Sequence, residues 1–269
     1  MRLPVLILCC ALSSVAAQAG ETVWQEVAPG VQLRLVSTGE IKADGTTMVG
    51  IEIDMPSTTK TYWRVPGDTG LPTELDLSGS SGVAGHQILW PYPTRHQTAD
   101  YLDYAYFGPT LLPVQLAVSA NAPQLELDAV LGICSEICVP AQAHFSLPLV
   151  DEAPDRPNGL RIRQSMAEWP MPWSGDPSVV GVVQVDAAAG MLAVEVSPQM
   201  DWQSLIAATA TGEPLFGTPQ KSGEQNLVLI PILGVEPLAE VVGQEIELNF
   251  MTQEGAFQVG RVAKAKGAN

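Results

Sequence analysis

Cys134 and Cys138 stand four positions apart in Gly132-Ile133-Cys134-Ser135-Glu136-Ile137-Cys138-Val139-Pro140. Across a short turn, two thiols at this spacing come within disulfide range. A bridge closing so small a loop removes little entropy from the unfolded chain and is a weak staple. Redox or metal work is the commoner use of such a pair. Exchange needs an attacking thiolate, a resolving thiol and access for a partner's sulfur. Glu136, between the two cysteines, raises thiol pKa values, and no Lys or Arg lies close in sequence to lower them. The pair therefore reads as slow toward random oxidants and reactive within a docked complex. Two other readings stay open: an inert local bridge, and Cu(I) or Zn(II) binding by the thiolates with His144 as a further ligand.

The elements that must position this pair are strands. Residues 124–131 alternate with period two and lead directly into Cys134. The same alternation marks residues 31–36, 48–53, 114–118 and 144–149, then 179–185, 191–196, 227–232 and 245–250. Glycine (24) and proline (22) cut the chain into these short pieces, a pattern that predicts an all-β, antiparallel β-sandwich architecture. One short helix is expected at 201–208, with Asp201 as its cap. A polar, proline-bearing stretch at 151–159 predicts a linker between two domains, residues 20–150 and 160–264. The Trp- and Pro-rich residues 166–176 are expected to pack across the junction, and 264–269 to fray.

Arg2, the apolar run 3–15 and Ala17-Gln18-Ala19 fit a secretory signal peptide ending near residue 19. Cys9 and Cys10 fall inside it, which leaves Cys134 and Cys138 as the mature chain's cysteines. The expected product is exported, periplasmic and not membrane-spanning, since no later stretch reaches about 18 uninterrupted apolar residues. A hydrophobic content of 46% with 16% charged residues suits a folded core rather than disorder. The formal charge of −16 disfavours nucleic acid and anionic membrane as partners. Three histidines in the first half have no nucleophile-elbow context, so Ser-His-Asp chemistry is not indicated.

Four motifs occur in a telling order: Tyr62-Trp63-Arg64-Val65-Pro66-Gly67-Asp68-Thr69-Gly70-Leu71-Pro72, Trp90-Pro91-Tyr92-Pro93-Thr94-Arg95, Leu112-Pro113-Val114, and the cysteine segment up to Pro140. Together they resemble the N-terminal periplasmic region of DsbD/ScsB-type thiol:disulfide interchange proteins. The resemblance implies two tandem immunoglobulin-like sandwiches, the first redox-active. It implies Cys134 and Cys138 as the catalytic pair, with Cys138 forming mixed disulfides and Cys134 resolving them. It also implies a membrane-embedded thiol reductase and periplasmic thioredoxin-like proteins as partners, and no flavin, haem, nicotinamide or resident metal. The three-residue spacer is similar to the ScsB branch. With no membrane module or thioredoxin-like domain in the sequence, a separate partner is expected to supply electrons.

Family members carry an aromatic cap loop over the pair. Residues 96–107 match it in position, which makes Tyr101 and Tyr104 the candidate cap residues. Tyr106 and Phe107 read instead as core or edge residues. In the 62–72 motif, Trp63 is expected in the core and Pro66-Gly67-Asp68 with Gly70 in a turn. Asp68 is not expected to take part in the chemistry.

Overall fold

The computed structural model describes residues 20–119, 123–150, 154–234 and 238–267. The expected signal peptide and its cleavage site lie outside them. The first half holds β1 (Gln25–Ala28), β2 (Val31–Ser37), β3 (Thr46–Asp54), β4 (Lys60–Gly67), β5 (Glu74–Asp76), β6 (Val83–Ile88), β7 (Thr94–Gln97), β8 (Leu102–Phe107), β9 (Thr110–Val118), β10 (Gln124–Cys134) and β11 (Cys138–Pro148). One sheet runs β1-β2-β3-β9-β6 and the other β11-β10-β4-β8-β7, with β5 also paired to β10. The alternating residues of both sheets meet in a sealed core. Leu33, Leu35, Ile51, Ile53, Leu112 and Leu116 come from the first sheet, and Trp63, Tyr104, Leu127 and Phe145 from the second. Each strand thus has one core face and one outer face, as period-two patterning requires.

The stretch expected as a linker instead begins a helix, α1 (Arg156–Met166). Asp155 caps it by accepting the Asn158 N–H at 3.0 Å, and Pro157 sits in its first turn. Ile162 packs with Val36, Met48 and Leu89, so α1 covers the outer face of the β1–β6 sheet. Arg161 and Arg34 both bond Glu52, which ties the helix to that sheet.

Beyond α1 come β12 (Met171–Pro172), β13 (Val180–Asp186), β14 (Met191–Val196), β15 (Asp201–Ala208), β16 (Leu215–Phe216), β17 (Gln220–Lys221), β18 (Leu227–Leu233), β19 (Glu245–Thr252), β20 (Gly255–Val262) and β21 (Lys264–Ala265). They form a second pair of sheets, β12-β20-β19-β15 and β16-β18-β14-β13-β21. Phe216, Ile230, Leu248 and Phe250 fill a core of their own. The tail expected to fray pairs in part: Gln184 lies beside Lys264 in a parallel bridge, and Lys266 bonds Asp186.

Residues 201–208 form strand β15, not the expected helix. Leu205 and Ala207 face the second core while Ile206 and Ala208 join the first. A strand buried on both faces loses its polar alternation, and a short apolar run then looks like a helix. Asp201 accepts the Gln203 N–H in a turn-like contact and caps nothing helical. The 166–176 segment does run from one half to the other. Trp169 packs beside Ile162, and Trp173 packs edge-on against Phe250 and Phe257.

Side chains of the first half seat the second. Tyr92 donates to the Ser204 carbonyl, Arg95 to those of Gln203 and Leu205, and Tyr104 to that of Phe216 at 3.0 Å. Arg64 reaches the Thr209 carbonyl at 3.3 Å and pairs with Glu247 at 2.6 Å.

Candidate redox site

Strands β10 and β11 form an eleven-rung antiparallel hairpin whose last rung pairs Cys134 with Cys138. The two are joined by a disulfide, with Cα atoms 4.0 Å apart. Ser135, Glu136 and Ile137 make the exposed tip. Cys134 is buried at 7% exposure, Cys138 is half-buried, and Ile137 projects at 75%.

The hairpin does not stand alone. Cys134 bridges Lys60 on β4, and Lys60 pairs with Phe107 on β8. Phe107, Lys60, Cys134 and Cys138 therefore form one row across the sheet, with side chains on its outer face. Lys60 supplies the cation that residues adjacent in sequence do not. Its ammonium pairs with Asp103 at 2.6 Å, and the two side chains are 7% and 0% exposed. It also lies 5.4 Å from the Tyr62 ring centre and 4.9 Å from that of Tyr101.

Tyr62, two residues along β4, shares this face and packs with Ala105 and Cys134. Its hydroxyl lies 3.4 Å from Cys138 Sγ. Burial raises the Tyr62 pKa above the ordinary tyrosine value, with the Thr69 hydroxyl and Lys60 pulling the other way. The phenol is therefore protonated throughout the neutral range.

The 62–72 motif builds the wall around this ring. A Cβ at Gly70 would lie 2.7 Å from Tyr62 Cδ1, and one at Gly132 would lie 2.9 Å from Cδ2. Only hydrogen at both positions lets the loop and β10 clasp the ring from its two edges. Gly67 has φ +92°, and a Cβ there would meet the Leu102 carbonyl at 2.2 Å. Pro66 and Gly67, expected in a turn, instead end β4, and the chain bends at Asp68 and Thr69; Trp63 is in the core. Asp68 holds the loop by accepting the Leu102 N–H at 2.7 Å, and Asp103 accepts both the N–H and the hydroxyl of Thr69. The motif thus does more than turn the chain: it carries Tyr62 to Cys138 and Thr69 to Asp103.

The two cap candidates separate. Tyr101 flanks Lys60 on the outer face and touches His96 at 5.6 Å between ring centres. Tyr104 faces the opposite way, 1% exposed, edge-on to Trp63 at 5.8 Å. It is a core residue and does not cover the sulfurs; alternation along β8 sends it inward. Tyr106 is likewise in the core, whereas Phe107, expected in the core or at an edge, lies on the outer face in the row of the cysteines. His144 pairs with Asp128 and Glu126, well along the hairpin from the cysteines. It is no ligand to them, and no cluster of three or more His, Cys, Asp or Glu residues among the described residues could hold a metal ion.

A disulfide at a solvent-facing hairpin tip, on an immunoglobulin-like β-sandwich and beside a phenol and a cation, has the layout of a thiol–disulfide exchange site. The comparisons agree with that class. Residues 32–149 match the family described as thiol:disulfide interchange protein DsbD, N-terminal. The crystal structure of the N-terminal periplasmic domain of ScsB from Proteus mirabilis superposes with a TM-score of 0.71, covering 91% of this chain and 99% of that one at 18% identity. That family match is confined to the first sandwich, and the two-sandwich fold of the whole chain is similar to that of the ScsB domain. The GAE domain of GGA2p from Saccharomyces cerevisiae covers 48% of this chain at 11% identity, with a TM-score of only 0.27. No curated protein sequence matches the chain. Among the described residues no helix is long and apolar enough to cross a membrane.

Proposed function

We propose that this chain is a periplasmic dithiol carrier, taking electrons from a membrane-embedded thiol reductase and delivering them to thioredoxin-like proteins. A thiolate of the donor dithiol attacks Cys138 Sγ. The Cys134–Cys138 bond breaks, and its electron pair leaves on Cys134, which takes up a proton. The donor's second thiolate attacks its own sulfur in the mixed disulfide, so the donor departs oxidised and Cys138 is released as a thiolate. Two electrons have then entered the chain. Delivery runs the same steps in reverse against an oxidised acceptor. This chemistry needs no flavin, haem or nicotinamide.

The carrying observation is the unequal exposure within the pair. An incoming sulfur reaches half-buried Cys138 from the tip, whereas Cys134 is shielded behind the Tyr62 side of the sheet. The apolar side chains of Ile137 and Val139 offer a rim for docking. Its periplasmic setting follows from the family and from the expected signal peptide.

The test is mixed-disulfide trapping with an oxidised thioredoxin-like protein. Cys134→Ser should accumulate a covalent complex that reductant releases, and Cys138→Ser should accumulate far less. Equal trapping by both would reverse or erase the assigned roles. A native disulfide that no protein dithiol reduces would end the carrier reading.

A further inference from the structure

We propose that Lys60 and Asp103 are positioning residues for the redox pair, with Lys60, held by Asp103, acting through Tyr62 to keep a hydroxyl donor on Cys138 whenever its sulfur is charged. This rests on the exchange reading above and adds residues to it. The links form one chain. Lys60 Nζ meets Asp103 Oδ2 at 2.6 Å, and the Thr69 hydroxyl donates to the same oxygen at 2.6 Å. Tyr62 Oη lies 3.4 Å from Cys138 Sγ, and the Lys60 ammonium lies 5.4 Å from the Tyr62 ring centre.

The direction of each proton follows from what its neighbours accept. Asp103 has no hydrogen to give as a carboxylate, so Thr69 donates to it. In the disulfide state Cys138 Sγ is only a weak acceptor for the Tyr62 hydroxyl. When exchange frees Cys138 as a thiolate, the anion outcompetes a neutral hydroxyl. Tyr62 then turns its O–H to the sulfur by rotation about one bond, with no proton transferred. A hydrogen bond made only to the charged form favours that form.

Lys60 has a separate part in this. Stapling loop 66–72 requires only the Thr69 N–H on Asp103, which an uncharged acceptor could supply. An ammonium held between two phenol faces is not needed for that. Its field, from 5.4 Å off the Tyr62 ring centre, makes the Tyr62 hydroxyl a stronger donor. The other titratable groups near the row are Tyr101, His96 across from Asp103, and Glu136 at the tip. Each is shared by all the variants below.

The experiment titrates Cys138 in the full chain carrying Cys134→Ser, so that a single thiol is read by ultraviolet thiolate absorbance and by alkylation rate against pH. Adding Lys60→Met should move the titration upward by roughly half to one pH unit, slowing alkylation at neutral pH about threefold to tenfold. Lys60→Arg should restore it. Tyr62→Phe should raise it too, and Lys60→Met should then add little, because the intermediary is gone. If the single variant fails to fold, Lys60→Met/Asp103→Asn leaves no lone buried charge and should still move the titration upward, by less, because the opposing Asp103 charge goes with it. Folded variants that titrate like their parent would overturn the proposal, as would a Lys60 effect undiminished in Tyr62→Phe. Failure of the wild-type disulfide to be reduced would instead overturn the exchange reading, since the thiol titration stands apart from it.

Discussion

Replacing Asp103 with leucine should be among the most damaging single substitutions on the outer face of the redox sheet. The carboxylate is fully buried and accepts from Lys60, from the Thr69 N–H and from the Thr69 hydroxyl. Its removal strands an ammonium that is itself 7% exposed. Breaking a buried pair in this way costs about 3–5 kcal/mol, far above the ~0–1 kcal/mol of an exposed pair. The loop 66–72 also loses the anchor of its N–H. Removing both charges, as in Lys60→Met/Asp103→Leu, leaves no uncompensated charge and should recover most of the loss. Equilibrium urea unfolding with the disulfide intact measures this, followed by the fluorescence of the buried Trp63. With a slope of about 1–3 kcal/mol per molar urea, the single variant should shift the midpoint by at least roughly 1 M. A single variant that loses no more than about 1 kcal/mol, or a double variant worse than the single, would refute the reasoning. Either result would mean that water reaches Lys60 and that the pair is effectively a surface one.

Tyr104→Phe should cost about 1–3 kcal/mol, because the Phe216 carbonyl loses its buried donor, and limited proteolysis should then cut between the two halves more readily. Gly70→Ala should disturb the clasp on Tyr62 and change the alkylation rate of reduced Cys138, while the distant helix α1 stays intact by hydrogen exchange. Burial raises the pKa of Tyr62, Tyr92, Tyr104 and Tyr106. Between the unfolded value near 10 and the higher folded values, the unfolded state gives up protons that the folded state keeps. Stability is therefore fully present below about pH 10 and falls as pH rises above it. Urea midpoints at neutral and strongly alkaline pH check this, and a flat profile would contradict the burial of these phenols.

The cysteine pair, the strand that leads to it and the β-rich architecture were legible because each is local: a spacing, an alternation, a turn. The rest of the site was not, because β-sheet pairing joins residues far apart in the chain. Lys60 and Asp103 are 43 positions apart, and nothing along the sequence marks them as partners. The alternation Lys60-Thr61-Tyr62-Trp63 held part of the signal: with Trp63 inward, Lys60 and Tyr62 had to share the outer face. Helix α1 was hidden because Asp155 and Pro157 suit a helix start as well as a linker. Strand β15 was misread because it faces two cores. Tyr104 shows the reverse case, an aromatic in a suggestive stretch whose parity on β8 sends it to the wrong side of the sheet for a cap.

The seam between the sandwiches has a lopsided grammar. Tyr92, Arg95 and Tyr104 supply donors from one side, and on the other they meet peptide oxygens of Gln203, Ser204, Leu205 and Phe216 rather than their side chains. A peptide oxygen is the same whichever amino acid bears it. These donors thus grip the downstream module by the path of its main chain, while Glu247, Ile206 and Ala208 add side-chain contacts that mutation could remove. Constraint falls on the β7–β8 hairpin, which does the gripping and also carries Asp103 toward the sulfurs.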